Sequence, residues 1–163
     1  MQAIIATLGY VLSPDGRQVL MLRRDTRPDD IHYGYYNGLG GKLEPGEDVI
    51  AGMRREIREE AGLECGRVEL AGTISWPGFG RHSENWFGFL FRVPTWSGEP
   101  RPDCPEGTLI WTDLADVIAG RVPMWPSDRH FLPLVFAEQP TVFHGVMPFT
   151  DGVATSWSWT TAG

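Results

Sequence analysis

Three glutamates crowd into five positions of the stretch MRREIREEAGL, residues 53–63: Glu56, Glu59 and Glu60. On a helix, positions 59 and 60 lie about 60° and 40° to either side of position 56, so all three carboxylates can converge on one point. Like charges at that spacing cost an isolated helix about 0.2–0.5 kcal/mol per pair. Two readings accommodate this cost. In one, the stretch is a solvated face on which Arg54, Arg55 and Arg58 offset the acids. In the other, a cation sits between the carboxylates. The preceding segment, NGLGGKLEPGE at 37–47, favours the second. Gly40 and Gly41 allow close backbone approach, Lys42 supplies a cation, and Gly46 permits a tight turn. A glycine-rich segment leading into an acidic helix suits a Mg²⁺–phosphate site. Hard oxygens hold the ion, and its remaining positions take phosphate oxygens and water.

The elements that must position these groups follow from hydrophobic periodicity and turn residues. Residues 3–12 (AIIATLGYVL) read as a buried strand, SPDG at 13–16 as a turn, and 17–24 (RQVLMLRR) as the returning strand. A polar segment covers 25–36, and 37–47 reads as loop, with five glycines or prolines. The acidic helix is expected from Asp48 to Ala61, with Val49, Met53 and Ile57 as its core face and Gly62 as its stop. Strands are expected at 68–74, 85–93 and 109–111, separated by a loop from Pro94 to Gly107. Short helices are expected near 113–119 and 127–138, the second carrying Pro133, and 141–160 reads as a hairpin about Thr150-Asp151-Gly152. Strands and helices are mixed, which makes the class α/β or α+β with a mixed sheet. There is no internal repeat and no linker, so 1–163 is expected to form one domain.

Composition narrows the classes. The chain is 42% hydrophobic, too apolar for disorder, yet no apolar run approaches the roughly 18 residues of a membrane span. The first residues, MQAIIATLGYVL, have neither a basic region nor a cleavage site and are read as no signal peptide. Cys65 and Cys104 form no CxxC motif and no framework, and a reduced cytoplasmic setting is expected. The net charge of −7 argues against a nucleic-acid polymer as partner, because such proteins usually present a basic face. A small anionic ligand remains compatible where metal ions shield its charge. Lys42 is the only lysine among fourteen basic residues.

The glutamate stretch also carries a resemblance. Gly41, five residues, Glu47, seven residues, then Arg55-Glu56-Ile57-x-Glu59-Glu60-x-Gly62-Leu63 matches the Nudix box, GX5EX7REUXEEXGU, at all nine defined positions over 23 residues. The resemblance implies diphosphate hydrolysis and an α/β/α sandwich with a mixed sheet, the box forming a loop–helix–loop. It implies that Glu56, Glu59 and Glu60 bind catalytic Mg²⁺, with Mn²⁺ as the alternative ion, and that the Gly40 carbonyl lies nearby. Arg55 and Glu47 would pair and orient the helix, and Glu56 or Glu60 would be the general base. An acid outside the box would complete the metal site, and Glu106 is the candidate.

Three further stretches, YYNGLGGK at 35–42, MWPSDRHFLPLVF at 124–136 and FHG at 143–145, resemble the MutT-type enzymes that remove oxidised purine nucleotides, especially the animal form. Carried over, Asn37 would hydrogen-bond the base edge, Trp125 would stack on the purine, and Asp128 would accept from the base. Thr7, Leu8 and Trp76 would line the pocket, and Arg23 or Arg24 would meet the phosphates. Trp125 as core, Asp128 as a residue favoured at a helix start behind Ser127, and Asn37 as a turn residue are the structural alternatives. One departure stands out: where the animal pattern has two adjacent aspartates, this chain has Ser127-Asp128. A serine hydroxyl can donate to guanine O6 while Asp128 accepts from N1–H and the 2-amino group. A second carboxyl could donate only when protonated.

The expectation is therefore a Mg²⁺-dependent pyrophosphohydrolase acting on a small nucleotide, such as 8-oxo-dGTP, without a membrane, with a monomer favoured. An ordinary dNTP, a dinucleoside polyphosphate or a nucleotide sugar is the alternative substrate. A non-catalytic Nudix-fold sensor ranks lower, since the chain keeps every box glutamate.

Overall fold

The computed structural model describes residues 1–138 and 140–163. In chain order it contains β1 (Ile4–Leu12), β2 (Gln18–Arg23), β3 (Tyr36–Asn37), β4 (Leu39–Lys42), α1 (Val49–Ala61), β5 (Glu64–Cys65), β6 (Glu69–Trp76), β7 (Trp86–Val93), β8 (Trp96–Ser97), β9 (Asp103–Cys104), β10 (Gly107–Asp113), α2 (Leu114–Ile118), α3 (Asp128–Val135), β11 (Phe143–Val146), β12 (Phe149–Thr150), β13 (Val153–Ala154) and β14 (Ser158–Thr161). The main sheet runs β14-β11-β6-β7-β1-β2-β10-β9, with β3 added to β2 and β4 added to β1. Two pairings are parallel, β1 with β7 and β11 with β6, and the sheet is therefore mixed.

Alternation along the strands builds two cores, one on each face. In β2, Val19 and Met21 join Tyr10, Ile74 and Leu90 under α2 and α3. Leu20 and Leu22 point the other way and join Val11, Leu39 and Phe91 under α1. The helix α1 contributes Met53, Ile57 and Ala61, all fully buried, as its 3.6-residue period requires. Burial of side chains the size of Met53 and Ile57 stabilises by about 1.5–3 kcal/mol each. The Asp48 side chain accepts from the Ala51 N–H at 2.8 Å and starts α1. Gly62, at φ 73°, ends it in the left-handed conformation that glycine adopts without strain. The result is an α/β/α sandwich with a mixed sheet.

Four expectations need correction. Residues 39–42 are not loop but strand β4, paired with Ala6–Gly9 of β1; small residues there admit the close approach of α1. The stretch from Pro94 to Gly107 is not loop throughout but contains the short strands β8 and β9. The helix expected to reach residue 138 stops at Val135. Pro133 has already removed one helical hydrogen bond, and Phe136 leaves to meet the Tyr10 ring edge-on at 5.3 Å. The terminal hairpin is divided. Asp151 and Gly152, both at positive φ, turn only the two-residue ladder β12–β13. Beyond it, β14 returns to pair with β11 within the main sheet. Pro148 lies between β11 and β12 and separates the two pairings.

Candidate active site

Along one edge, β1 changes partner. Its first half pairs with β4, Thr7 opposite Gly41, while Val11 and Leu12 pair with β2. The two neighbours diverge, and a cleft of about 330 Å³ opens where they part. It is lined by Leu22, Arg24, Asn37, Gly40, Glu56, Glu59, Glu60, Pro105 and Glu106.

The helix is held under β4 by a fork. The Arg55 guanidinium donates from Nε and Nη2 to the two Glu47 oxygens, at 3.0 and 2.7 Å, and from Nη1 to Glu56 Oε1 at 3.0 Å and Glu59 Oε2 at 3.2 Å. Planar bidentate pairing fixes direction as well as charge. The Gly40 N–H donates to Glu60 Oε1 at 2.9 Å. A Cβ at Gly41 would lie 2.5 Å from Glu56 Oε1, so any side chain there would displace the Glu56 carboxylate.

Burial pushes the Glu60 carboxyl up to about 8, with the charges of Glu56 and Glu106 acting in the same direction and the Gly40 N–H opposing them. Glu56 is also raised, by burial first, against the pull of Arg55. Glu60, Cys104 and Glu106 present ligand atoms within 4.8 Å of one another. Carboxylates that resist ionising side by side are a set that a cation relieves, and all-oxygen donors suit a hard ion such as Mg²⁺. The Glu carboxylates and the Gly40 backbone therefore fit a divalent metal. The Cys104 thiol fits it poorly, because a soft sulfur is a weak donor to a hard ion; without an ion, burial, helped by its hydrogen bond to Glu106 at 3.2 Å, pushes the thiol up to about 11.

On the far side of the cleft, the Asn37 Nδ2 donates to the Gly38 carbonyl at 2.8 Å, while its Oδ1 is buried without a partner. Trp125, Ser127 and Asp128 are not among the residues that line the glutamate cleft; they lie at the start of α3, on the sheet face that Leu8 and Trp76 share. Asp128 makes no side-chain hydrogen bond among the described residues; its carboxyl is pushed by burial up to about 7 and lies close enough to raise the Tyr10 hydroxyl further. Ser127, at the cap position, makes no capping bond. The Trp125 ring lies 4.7 Å from His32 and 5.1 Å from Tyr35, with the Arg24 guanidinium over it at 5.9 Å.

Several expected site residues separate. Arg23 does not reach the cleft; it pairs with Asp25 at 2.9 Å, while its neighbour Arg24 lines the cleft. Lys42 is one step from Gly41 and so faces away from α1, its ammonium 5.5 Å from the centre of the Trp86 ring. Thr7 and Leu8 cannot line one pocket for the same reason. Thr7 lies on the α1 side, opposite Gly41, with its hydroxyl buried and unpartnered, whereas Leu8 and Trp76 pack on the α3 side. Leu22, Pro105 and Cys104 were not anticipated. Only the two-residue spacing of Cys104 from Glu106 hinted at the last.

The divided sheet edge over a forked glutamate helix defines a class. The NUDIX domain family model matches residues 4–135, and the chain belongs to the Nudix family as a Nudix hydrolase. Nudix hydrolases generally use a divalent metal and act on small nucleotide substrates. Among its relatives, it is 32% identical over 142 residues to the uncharacterised Nudix hydrolase YvcI of Bacillus subtilis (strain 168), covering 86% of this chain and 84% of that one. It is also 32% identical over 151 residues to the oxidized purine nucleoside triphosphate hydrolase of Mus musculus, covering 89% and 86%. The crystal structure of a mutator MutT protein from Bacillus halodurans superposes with a TM-score of 0.81 at 27% identity, covering 96% of this chain and 97% of that one.

Proposed function

We propose that this Nudix hydrolase cleaves oxidised purine nucleoside triphosphates, such as 8-oxo-dGTP, to the monophosphate and pyrophosphate, acting as one domain over 1–163 with Mg²⁺ as its ion. The observation that carries the reading is the unpartnered Asn37 Oδ1, buried in the same cleft as the glutamates. A buried acceptor without a donor costs about 1–3 kcal/mol, and a base N–H supplies the donor. Asp128, with no protein partner, and Ser127, with no capping bond, offer the acceptor and the donor that a guanine edge needs. The likeness to the mouse enzyme, which spans these segments, supports the same substrate class.

Glu56, Glu59, Glu60 and Glu106 would hold the ion, which supplies charge neutralisation at the polyphosphate and acidifies water. Arg55 and the Gly40 N–H keep the carboxylates converged. Water attacks one phosphorus of the anhydride and the bridging P–O bond breaks, with Glu56 or Glu60 taking the water's proton. Arg24 meets the phosphates. Cys65 and Cys104 are both unpaired, which suits a reducing cytoplasm.

The test is pyrophosphate release from oxidised and normal nucleotides. The oxidised form is expected to show the higher kcat/KM, and Asp128→Ala to erase that preference more than it lowers basal hydrolysis. Equal rates for dGTP and its 8-oxo form, or a ratio indifferent to Asp128→Ala, would leave a Nudix hydrolase of some other nucleoside diphosphate derivative.

A further inference from the structure

Beside the cleft lies a second cavity, of about 150 Å³, lined by Arg24, Thr26, Arg27, Asp30, Pro105 and Glu106. It shares Arg24, Pro105 and Glu106 with the first, so the two adjoin along that wall. A single water needs only about 10–15 Å³ of such space, so the annex is roomy enough for a larger group.

The charges of the two compartments differ. Among the described residues, four carboxylates and a single cation, Arg24, line the main cleft. That cation is held in place by one acid: Asp30 Oδ2 accepts from Arg24 Nε at 3.0 Å and from Nη2 at 2.6 Å, which leaves Nη1 for a ligand. Arg27 differs from it. Its side chain is exposed and makes no ion pair or hydrogen bond among the described residues, and it borders the annex and not the main cleft. The Thr26 hydroxyl donates to the Glu106 carbonyl at 3.3 Å, which ties this wall to the residue that both compartments share. The annex therefore adds a free guanidinium and a hydroxyl immediately beyond the acidic cluster.

We propose that this annex is the subsite for the outer phosphates of the substrate, and thus for the departing pyrophosphate, with Arg27 as the residue that binds it. The inference rests on the triphosphate reading above. A triphosphate carries more negative charge than a cluster-bound ion cancels, and the excess lies on the outer phosphates. An acidic cleft repels that excess. Asp30 and Glu106 also line the annex, but Arg27 pairs with neither, and a planar guanidinium left unpaired among the described residues can match two phosphate oxygens at once. Asp30 holds Arg24 at the junction, so that the phosphates meet a cation on entering the annex and a second one at its far wall.

The experiment is calorimetric titration of the full chain with inorganic pyrophosphate in excess Mg²⁺, alongside a nucleoside monophosphate. Arg27→Ala is expected to weaken pyrophosphate binding about tenfold and leave the monophosphate unchanged, while Arg27→Lys keeps part of the affinity. Arg27 lies at the surface, and an unchanged melting temperature shows that each variant is folded. Pyrophosphate affinity equal in wild type and Arg27→Ala, or an equal loss for both ligands, overturns the subsite. Pyrophosphate is common to every nucleoside triphosphate. If the Arg27 effect stands but 8-oxo-dGTP earns no preference over dGTP, the base reading falls and the subsite remains.

Discussion

At the scale of single residues, the glutamates and Asp128 show opposite uses of a strained carboxyl. If, as proposed, a cation shares Glu56 and Glu60, replacing either should abolish chemistry without unfolding the chain. Glu56→Gln or Glu60→Gln is expected to lower kcat at least about a hundredfold, the low end for a positioned acid or base. Steady-state rates at saturating Mg²⁺ check this, and wild-type turnover in both variants would sink the assignment. Asp128 has no such partner. Burial raises it from the ordinary 3.8 to about 7, so the folded chain favours its neutral form below neutral pH and the accepting carboxylate above it. The stability linked to that preference is full below pH about 4 and is lost as pH rises through 7. Asp128→Asn cannot ionise and escapes the loss. Its melting temperature relative to wild type should climb between pH 5 and pH 8, and a difference flat across that range would contradict burial as the cause.

At the scale of elements, β4 and α1 work as a pair, and Gly41 sets the gap between them. Gly41→Ala places a methyl 2.5 Å from Glu56 Oε1, which must move. A displacement near 1 Å at a reacting centre can cost about a hundredfold, so kcat should fall towards that extent while circular dichroism stays unchanged. A fully active Gly41→Ala would mean that Glu56 has freedom to spare. The same pair shows what sequence could and could not reveal. The acidic helix was legible to within a residue, because a 3.6-residue apolar period, an Asp cap and a Gly stop all agree. Strand β4 was not, because glycines erase the alternation by which a strand is read. With β4 taken for loop, nothing indicated that Lys42 must face away from Gly41. Thr7 and Leu8, neighbours on β1, face opposite sides of the sheet by the alternation of any strand. The annex was illegible for another reason: Thr26 meets Glu106 across 80 residues, and no local period encodes such a contact.

At the scale of the whole molecule, the site draws on distant parts of the chain, with α1 bringing three acids, the β9–β10 turn the fourth, and β2 and β3 the opposite wall. An ion shared by these parts binds only the folded chain, so Mg²⁺ should raise the melting temperature in proportion to the logarithm of its concentration once above its dissociation constant. Thermal denaturation with millimolar Mg²⁺ and with a chelator measures this, and identical curves would exclude a shared ion. The parallel seam between β1 and β7 has a consequence for how the chain behaves before it is folded. Ile4 pairs with Trp86 and Val11 with Val93, so the sheet's centre closes only after most of the chain is available. Pairings so remote place refolding nearer the millisecond-to-second range than the microsecond range of local folds. Throughout that wait, residues 3–12, AIIATLGYVL, lie bare, and they contain no charge and no proline. Such a segment is a seed for intermolecular β-pairing. Heated or crowded during synthesis, this chain should be lost to aggregation through its first strand before its glutamates ever meet.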